Sequence, residues 1–269
     1  MPDAALQIGA WLLALAVILL AAIAAWVVSV IRRDVSIVDS LWSLLILLGL
    51  LVYIVASGAG GPHTWLVAAL VTAWALRLSL HITVRNHGEP EDRRYQAIRR
   101  NNEPHFWLKS LYLVFLLQGF LAWVVCLPAV AAVSAQTPSG PLASLVAGLG
   151  VALWLAGMFF EVVGDWQLGR FRRSRSAEAA VLDTGLWRYT RHPNYFGEAL
   201  LWWGIYLPAL SAGAWWAVAG PLLLTFLLLR VSGVALLEKD IGERRPAYRD
   251  YVRRTNAFFP GPPRAAGGA

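Results

Sequence analysis

A chain of 269 residues that is 58% hydrophobic, 14% charged and carries 14 Trp departs from a soluble domain, in which about a quarter of residues are charged. The net charge of +7 belongs to no basic stripe standing apart from apolar segments, which argues against nucleic acid as a partner and for an anionic ligand or headgroup layer. A lone Cys126 excludes a disulfide within the chain and a cysteine-based zinc site.

Apolar runs long enough to cross about 30 Å of hydrocarbon, which takes roughly 20 residues, predict about seven transmembrane helices in one all-α polytopic bundle. In chain order they cover 8–31, 39–57, 64–84, 109–133, 141–163, 194–210 and 213–236. The first is too long for a cleaved signal peptide and lacks a basic leading region. The last two are joined by a tight turn and read as a re-entrant-like pair. With these spans, the loops 1–7, 58–63, 134–140 and 211–212 hold no Lys or Arg. All 23 basic residues fall on the other side, in the tail or in the adjoining helix halves. The positive-inside rule then places the N-terminus outside and the C-terminus in the cytoplasm.

Ionisable residues within the spans fall on the same side. Asp39 opens the second span, Arg77 and His81 lie in the inner half of the third, Glu161 and Asp165 close the fifth, Glu198 sits a turn into the sixth and Glu238 ends the seventh. Such groups usually face a bundle interior and mark function. Their one-sidedness predicts a polar chamber open to the cytoplasm; snorkelling at helix ends is the plainer reading. The fifth span is expected to run on as one helix. Glu161, Asp165 and Arg172 then share a face, suited either to an amide, ribose and phosphate or to an internal ion-pair ladder.

The segment from Gly185 to Glu198 crowds Arg188, Tyr189, Arg191, His192, Asn194 and Tyr195 where a loop enters a helix. Polar groups carried toward hydrocarbon cost free energy unless partnered, so a polar, anionic ligand is expected there. The loop 85–109 reads as a solvated loop or as a lid placing Arg93 and Arg94 on a phosphate and Tyr95 on a base. Glu238 to Tyr251, including Tyr248, reads as a short amphipathic helix that either closes the chamber or anchors at the interface. No Walker A loop, strand-borne GxGxxG, HExxH or GxSxG occurs. The expected domain is 1–260, with its cofactor half at about 141–260 and a disordered tail at 261–269.

These pieces together resemble the steroid 5α-reductase C-terminal-domain superfamily, in its bacterial branch of unknown function. The matching stretches are Val35 to Trp42, Gly88 to Tyr95, Gly164 to Phe171, Gly185 to Glu198, and Arg245-Pro246-Ala247-Tyr248 through Phe259-Pro260. The resemblance implies a membrane reductase of a carbon–carbon double bond in a sterol, enone or isoprenoid-like lipid. It implies NADPH bound from the cytoplasmic side of a bacterial inner membrane. Asp165, Arg172 and Asn194 match cofactor-holding residues of relatives; Glu161, Tyr189, Arg191, His192, Tyr195, Glu238 and Tyr248 complete the cofactor set. Asp39 falls near a catalytic Glu of the steroid reductases, and Asp39 or Glu198 is the expected proton donor. The position of the relatives' catalytic Tyr falls at Trp74, which cannot donate comparably as an acid.

An alternative is a methyltransferase resembling the isoprenylcysteine carboxyl methyltransferases, with S-adenosylmethionine as cofactor and Arg191 to Gly197 and Glu238 as the matching residues. A third reading, a non-catalytic lipid-binding protein, gives so many buried acids no use. A diphosphate wants more cationic partners than a sulfonium does, which favours the reductase. No metal is expected, and the oligomeric state leaves no mark on the sequence.

Overall fold

The computed structural model describes residues 4–134, 140–173, 181–231, 233–234, 238 and 247–264. Every regular element among them is helical. The helices are α1 (Ala4–Arg32), α2 (Ile37–Ser57), α3 (Pro62–Asn86), α4 (Arg93–Asn101), α5 (Phe106–Ser134), α6 (Pro141–Arg173), α7 (Pro193–Ser211), α8 (Trp215–Val231) and α9 (Ala247–Arg254). Within α5 the turn Leu111–Leu116 is wound as π-helix. Five of these, α1, α2, α3, α5 and α6, are long and apolar enough to cross a membrane.

The last two expected spans differ from that group. α7 forms over nearly the expected residues, but Pro193, Asn194 and Glu198 in its first turns lower its hydropathy, and it is not among the five. α8 is apolar but shorter than a span.

The chain divides into two compact units, 1–138 with 212–220 and 139–211 with 221–269. In the first, α2 packs against both α1 and α3, and α5 packs against α1 and α2. Ile18, Ile46, Leu50, Trp74 and Phe115 are buried there with at most traces of exposure. Gly119 lets α5 approach Leu19 and Ala22 of α1.

The second unit is built on the antiparallel pair α6 and α7. α6 continues through Arg173 as one helix, as its sequence suggested. Its Gly150 and Gly157 meet Gly204 and Gly197 of α7: a Cβ on Gly157 would stand 2.6 Å from the Gly197 carbonyl oxygen, and one on Gly197 would stand 2.5 Å from that of Gly157. Small residues at such a crossing let two backbones close in and gain dispersion contacts where lipid offers no hydrophobic driving force. The seven-residue spacing of Gly150, Gly157 and Gly164 keeps the contact on one face for two turns at a time. At Gly164 the neighbours are Pro193 and the Asn194 backbone. The pairing therefore delivers the start of α7 to the polar end of α6.

The expected tail begins with structure: Gly261 N donates to Tyr189 O at 3.0 Å and Arg264 N to Arg254 O at 2.8 Å. Residues 265–269, and 239–246 of the expected amphipathic stretch, lie outside the described residues.

Candidate functional site

Polar side chains gather in each unit. In the first unit the centre is Asp39, in the opening turn of α2, where the helix dipole favours a carboxylate. Its partners come from α4. Arg94 Nη2 donates to Asp39 Oδ2 at 2.5 Å and Tyr95 OH donates to Asp39 Oδ1 at 2.5 Å. Gln118 Nε2 donates to the Tyr95 hydroxyl at 3.0 Å. Asp92 caps α4 by accepting from Arg94 N at 2.9 Å. Glu91 ties the same loop to the α1–α2 turn, accepting from Val35 N at 2.9 Å and from Arg99 Nη2 at 2.7 Å.

Arg94 and Tyr95, expected as lid residues over a phosphate and a base, are thus occupied by Asp39. Burial, then the charge of Asp39, holds the Tyr95 hydroxyl well above the ordinary phenol range, against the opposing pull of Arg94. Tyr95 keeps its proton at neutral pH and presents it to the carboxylate. Sequence reasoning placed Asp39 in the site and missed Tyr95 as its partner; the Asp92 cap ahead of a run of basic and aromatic residues was the available signal.

The second unit holds the remaining candidates. The loop before α7 is seated on α6: Leu186 N donates to Gln167 Oε1 at 3.0 Å, and Trp187 Nε1 donates to Gly164 O at 3.1 Å. Gly185 adopts φ +61°, and a Cβ there would run into the Gln167 amide, so only glycine serves. Asn194 Nδ2 donates to Asp165 Oδ1 at 3.0 Å, joining the two helices at their polar ends. Arg172 is exposed on the same helix, about 10 Å beyond Asp165 at 1.5 Å per residue. Glu161 and Glu198 are both buried.

A second cluster forms around Glu238. Arg191 grips it with both edges, Nε to Oε1 at 2.7 Å and Nη2 to Oε2 at 2.7 Å, while Nη1 donates to the carbonyls of Val252 and Thr255 at 3.1 and 2.5 Å. His192 Nε2 lies 2.9 Å from Glu238 Oε1, and its ring stacks on Tyr195 at 5.5 Å with 3° between planes. Tyr248 joins through side-chain hydrogen bonds to Glu238 and Arg191. Burial alone would raise the Glu238 carboxyl, but the hydrogen bonds from His192 and Arg191 and their charge hold it down at about 2.

Arg191, expected among the cofactor residues, is saturated by this arrangement and fastens the C-terminal segment to the loop. Arg191 N also donates to Asn256 O at 2.9 Å, and Thr190 Oγ1 to Phe258 O at 2.8 Å. Of the expected set, the structure brings together Asp165 with Asn194, and Arg191, His192, Tyr195 and Tyr248 around Glu238. Tyr189 is largely exposed and contributes its backbone carbonyl. Asp39 belongs to the first unit, with Arg94 and Tyr95. Among the described residues no His, Cys, Asp and Glu group is suited to a metal ion.

Comparison with known proteins adds three relatives. An uncharacterised protein of Schizosaccharomyces pombe is 26% identical over 273 residues, covering 87% of this chain and 75% of that protein. The 3-oxo-5-alpha-steroid 4-dehydrogenase 1 of Macaca fascicularis is 33% identical over 87 residues, 32% of this chain and 31% of its own length. Its Bos taurus counterpart is 35% identical over 66 residues, 24% of this chain and 26% of its own. The chain thus spans about a third or less of these two steroid dehydrogenases, to which it is distantly homologous. No solved structure matches it. Residues 25–255 match the family described as Protein of unknown function (DUF1295), and the chain belongs to that family.

Proposed function

We propose that this protein is a membrane-embedded reductase that uses NADPH to reduce a carbon–carbon double bond in a lipid. The observation that carries the reading is the Asp165–Asn194 hydrogen bond, held by the glycine contacts between α6 and α7 with Arg172 farther along α6. The chemistry of these donors fits a dinucleotide: a carboxylate and an amide suit an amide or ribose hydroxyl, and an exposed guanidinium suits a phosphate. The partial homology to the steroid dehydrogenases supports the same class.

In this reading Asp165, Asn194 and Arg172 hold the cofactor, the flat His192–Tyr195 stack borders it, and the Arg191–Glu238 pair keeps the C-terminal segment in place. NADPH, when bound, supplies a hydride. The protein must supply a proton and keep water away from the reacting carbons. The proposed proton donor is Glu198, buried on α7, or Asp39, which Arg94 and Tyr95 hold. In this reading the N-terminus lies outside and the cofactor residues lie at the cytoplasmic face, a reading supported by the alternation of basic and uncharged loops. α7 and α8 then complete about seven membrane segments, and the apolar spans enclose the lipid.

The test is titration of the detergent-solubilised full chain with NADPH, NADH and S-adenosylmethionine. NADPH is expected to bind, with Arg172→Ala and Asn194→Ala each weakening it about 10-fold or more, the cost of one charge-assisted hydrogen bond. Binding of S-adenosylmethionine alone would replace the reductase by a methyltransferase.

A further inference from the structure

We infer a phosphate-binding site in the second unit, apart from the residues assigned to the cofactor. A cavity of about 560 Å³ opens there, lined by Asp183, Gly185, Arg188, Arg254 and Arg264 among others. That volume is within the range of about 300–1,000 Å³ of small-molecule sites. Three arginines and a single aspartate line this hollow. Asp183 is engaged by Arg254, at 3.3 Å. Arg188 and Arg264 have no acidic partner among the described residues. Converging Arg side chains repel one another, and a multivalent oxyanion accepting their paired N–H groups relieves that repulsion.

The walls are fixed by the backbone and not by the arginines themselves. The Gly185–Arg188 turn is fastened to Gln167 and Gly164, and Arg264 is held by its backbone bond to Arg254 O. The guanidinium groups are therefore presented on an ordered frame, which lowers the cost of ordering them around a ligand.

Position along α6 adds a second, independent line. The turn is seated on α6 at Gly164 and Gln167, just where the apolar run ends at Val163. Exposed aromatic rings surround this level: Trp166 at 55%, Tyr189 at 46% and Phe259 at 68%. Exposed Trp and Tyr at the end of an apolar helix mark the membrane–water interface, the depth of lipid phosphates. The ligand is a phosphate-bearing anion, from either an acidic lipid headgroup or a soluble phosphate compound.

The experiment is native mass spectrometry of the detergent-solubilised full chain titrated with phosphatidylglycerol, phosphatidylcholine or inorganic pyrophosphate, with NADPH affinity measured in parallel. Phosphatidylglycerol is expected to bind about 10-fold tighter than phosphatidylcholine, the range of one or two charge-assisted contacts. Arg188→Gln with Arg264→Gln should erase that preference, the Lys versions should keep most of it, and NADPH affinity should not change in either. Pyrophosphate binding lost in the Gln variant, with no lipid preference in the parent, supports the site with a soluble phosphate as its source. A Gln variant that keeps every preference overturns the proposal. So does one that loses NADPH together with the lipid, because the hollow would then serve the dinucleotide.

Discussion

In the first unit a carboxylate at the start of a helix, Asp39, is met by the guanidinium of Arg94, 55 residues later, and by the neighbouring phenol of Tyr95. In the second, the comparable step is taken by the backbone: Gly150, Gly157 and Gly164 bring α7 so close that Asp165 and Asn194 touch. One region partners its half-buried acid with long side chains from a loop helix. The other does so by removing side chains until two helices nearly share a surface. The first kind of contact fails gradually, since a partner can be shortened or swapped. The second has no slack, because protein interiors are close-packed and a backbone cannot step aside.

The largest expected effect follows from that lack of slack. Gly157→Leu forces a branched side chain against the Gly197 carbonyl oxygen and the Leu201 backbone N, and should cost about 3 kcal/mol or more. Thermal unfolding should show it, and NADPH binding should vanish with the Asp165–Asn194 bond. Gly148→Leu on the same helix, where nothing lies within 4 Å, is the control that should leave both unchanged. Equal losses from the two would mean the glycine crossing is not what positions the pair.

Arg191→Ala comes next. It strips Glu238 of a bidentate partner in a buried setting, and removing one member of such a pair typically costs about 3–5 kcal/mol when both are fully enclosed. With Glu238 18% exposed, the lower end of that range is expected. Limited proteolysis should then cut within 247–264, which Arg191 fastens through Val252 and Thr255. A variant that resists cleavage while losing cofactor would return Arg191 to the binding set.

Five of the long apolar helices were legible because hydrophobic runs of bilayer length have few other meanings. The polar termini were legible too, since Asp165 and Asn194 stood where lipid gives them no partner. Two things were hidden. Glycines at 150, 157, 164, 197 and 204 carry no charge or bulk, so a search for chemistry passes over them, although their sevenfold spacing was in plain view. The saturation of Arg191 and the capture of Tyr95 depend on tertiary partners 47 and 56 residues away, which no local pattern specifies. A cluster of arginines reads the same whether it waits for a phosphate or grips a glutamate.

Asp39→Asn and Tyr95→Phe separate chemistry from framework in the first unit. Both are expected to abolish most turnover of a lipid substrate while keeping NADPH affinity, and Tyr95→Phe should cost about 1 kcal/mol of stability for its lost hydrogen bond. Steady-state rates beside equilibrium binding make the distinction. If Glu198→Gln stops turnover and Tyr95→Phe does not, the proton comes from the second unit.

The smallest expected effect is on acid stability. Glu238 sits at about 2 in the folded protein, below the ordinary 4.5 of an unfolded glutamate. A carboxylate with a depressed folded value adds stability above its unfolded value, and loses that stability as pH falls toward the folded value. The unfolding midpoint should therefore decline between about pH 4.5 and pH 2. Glu238→Gln should lie lower at neutral pH and follow a flatter course through that window. In the first unit the same logic applies to Asp92, held below the usual carboxylate range because Arg94 outweighs the burial that would raise it. Asp92 is more exposed than Glu238, at 31% against 18%, so solvent screens its pair more. Asp92→Asn should flatten the profile less than Glu238→Gln does. The reverse order would mean that the side-chain network of the first unit, and not the clamp of the second, governs acid sensitivity.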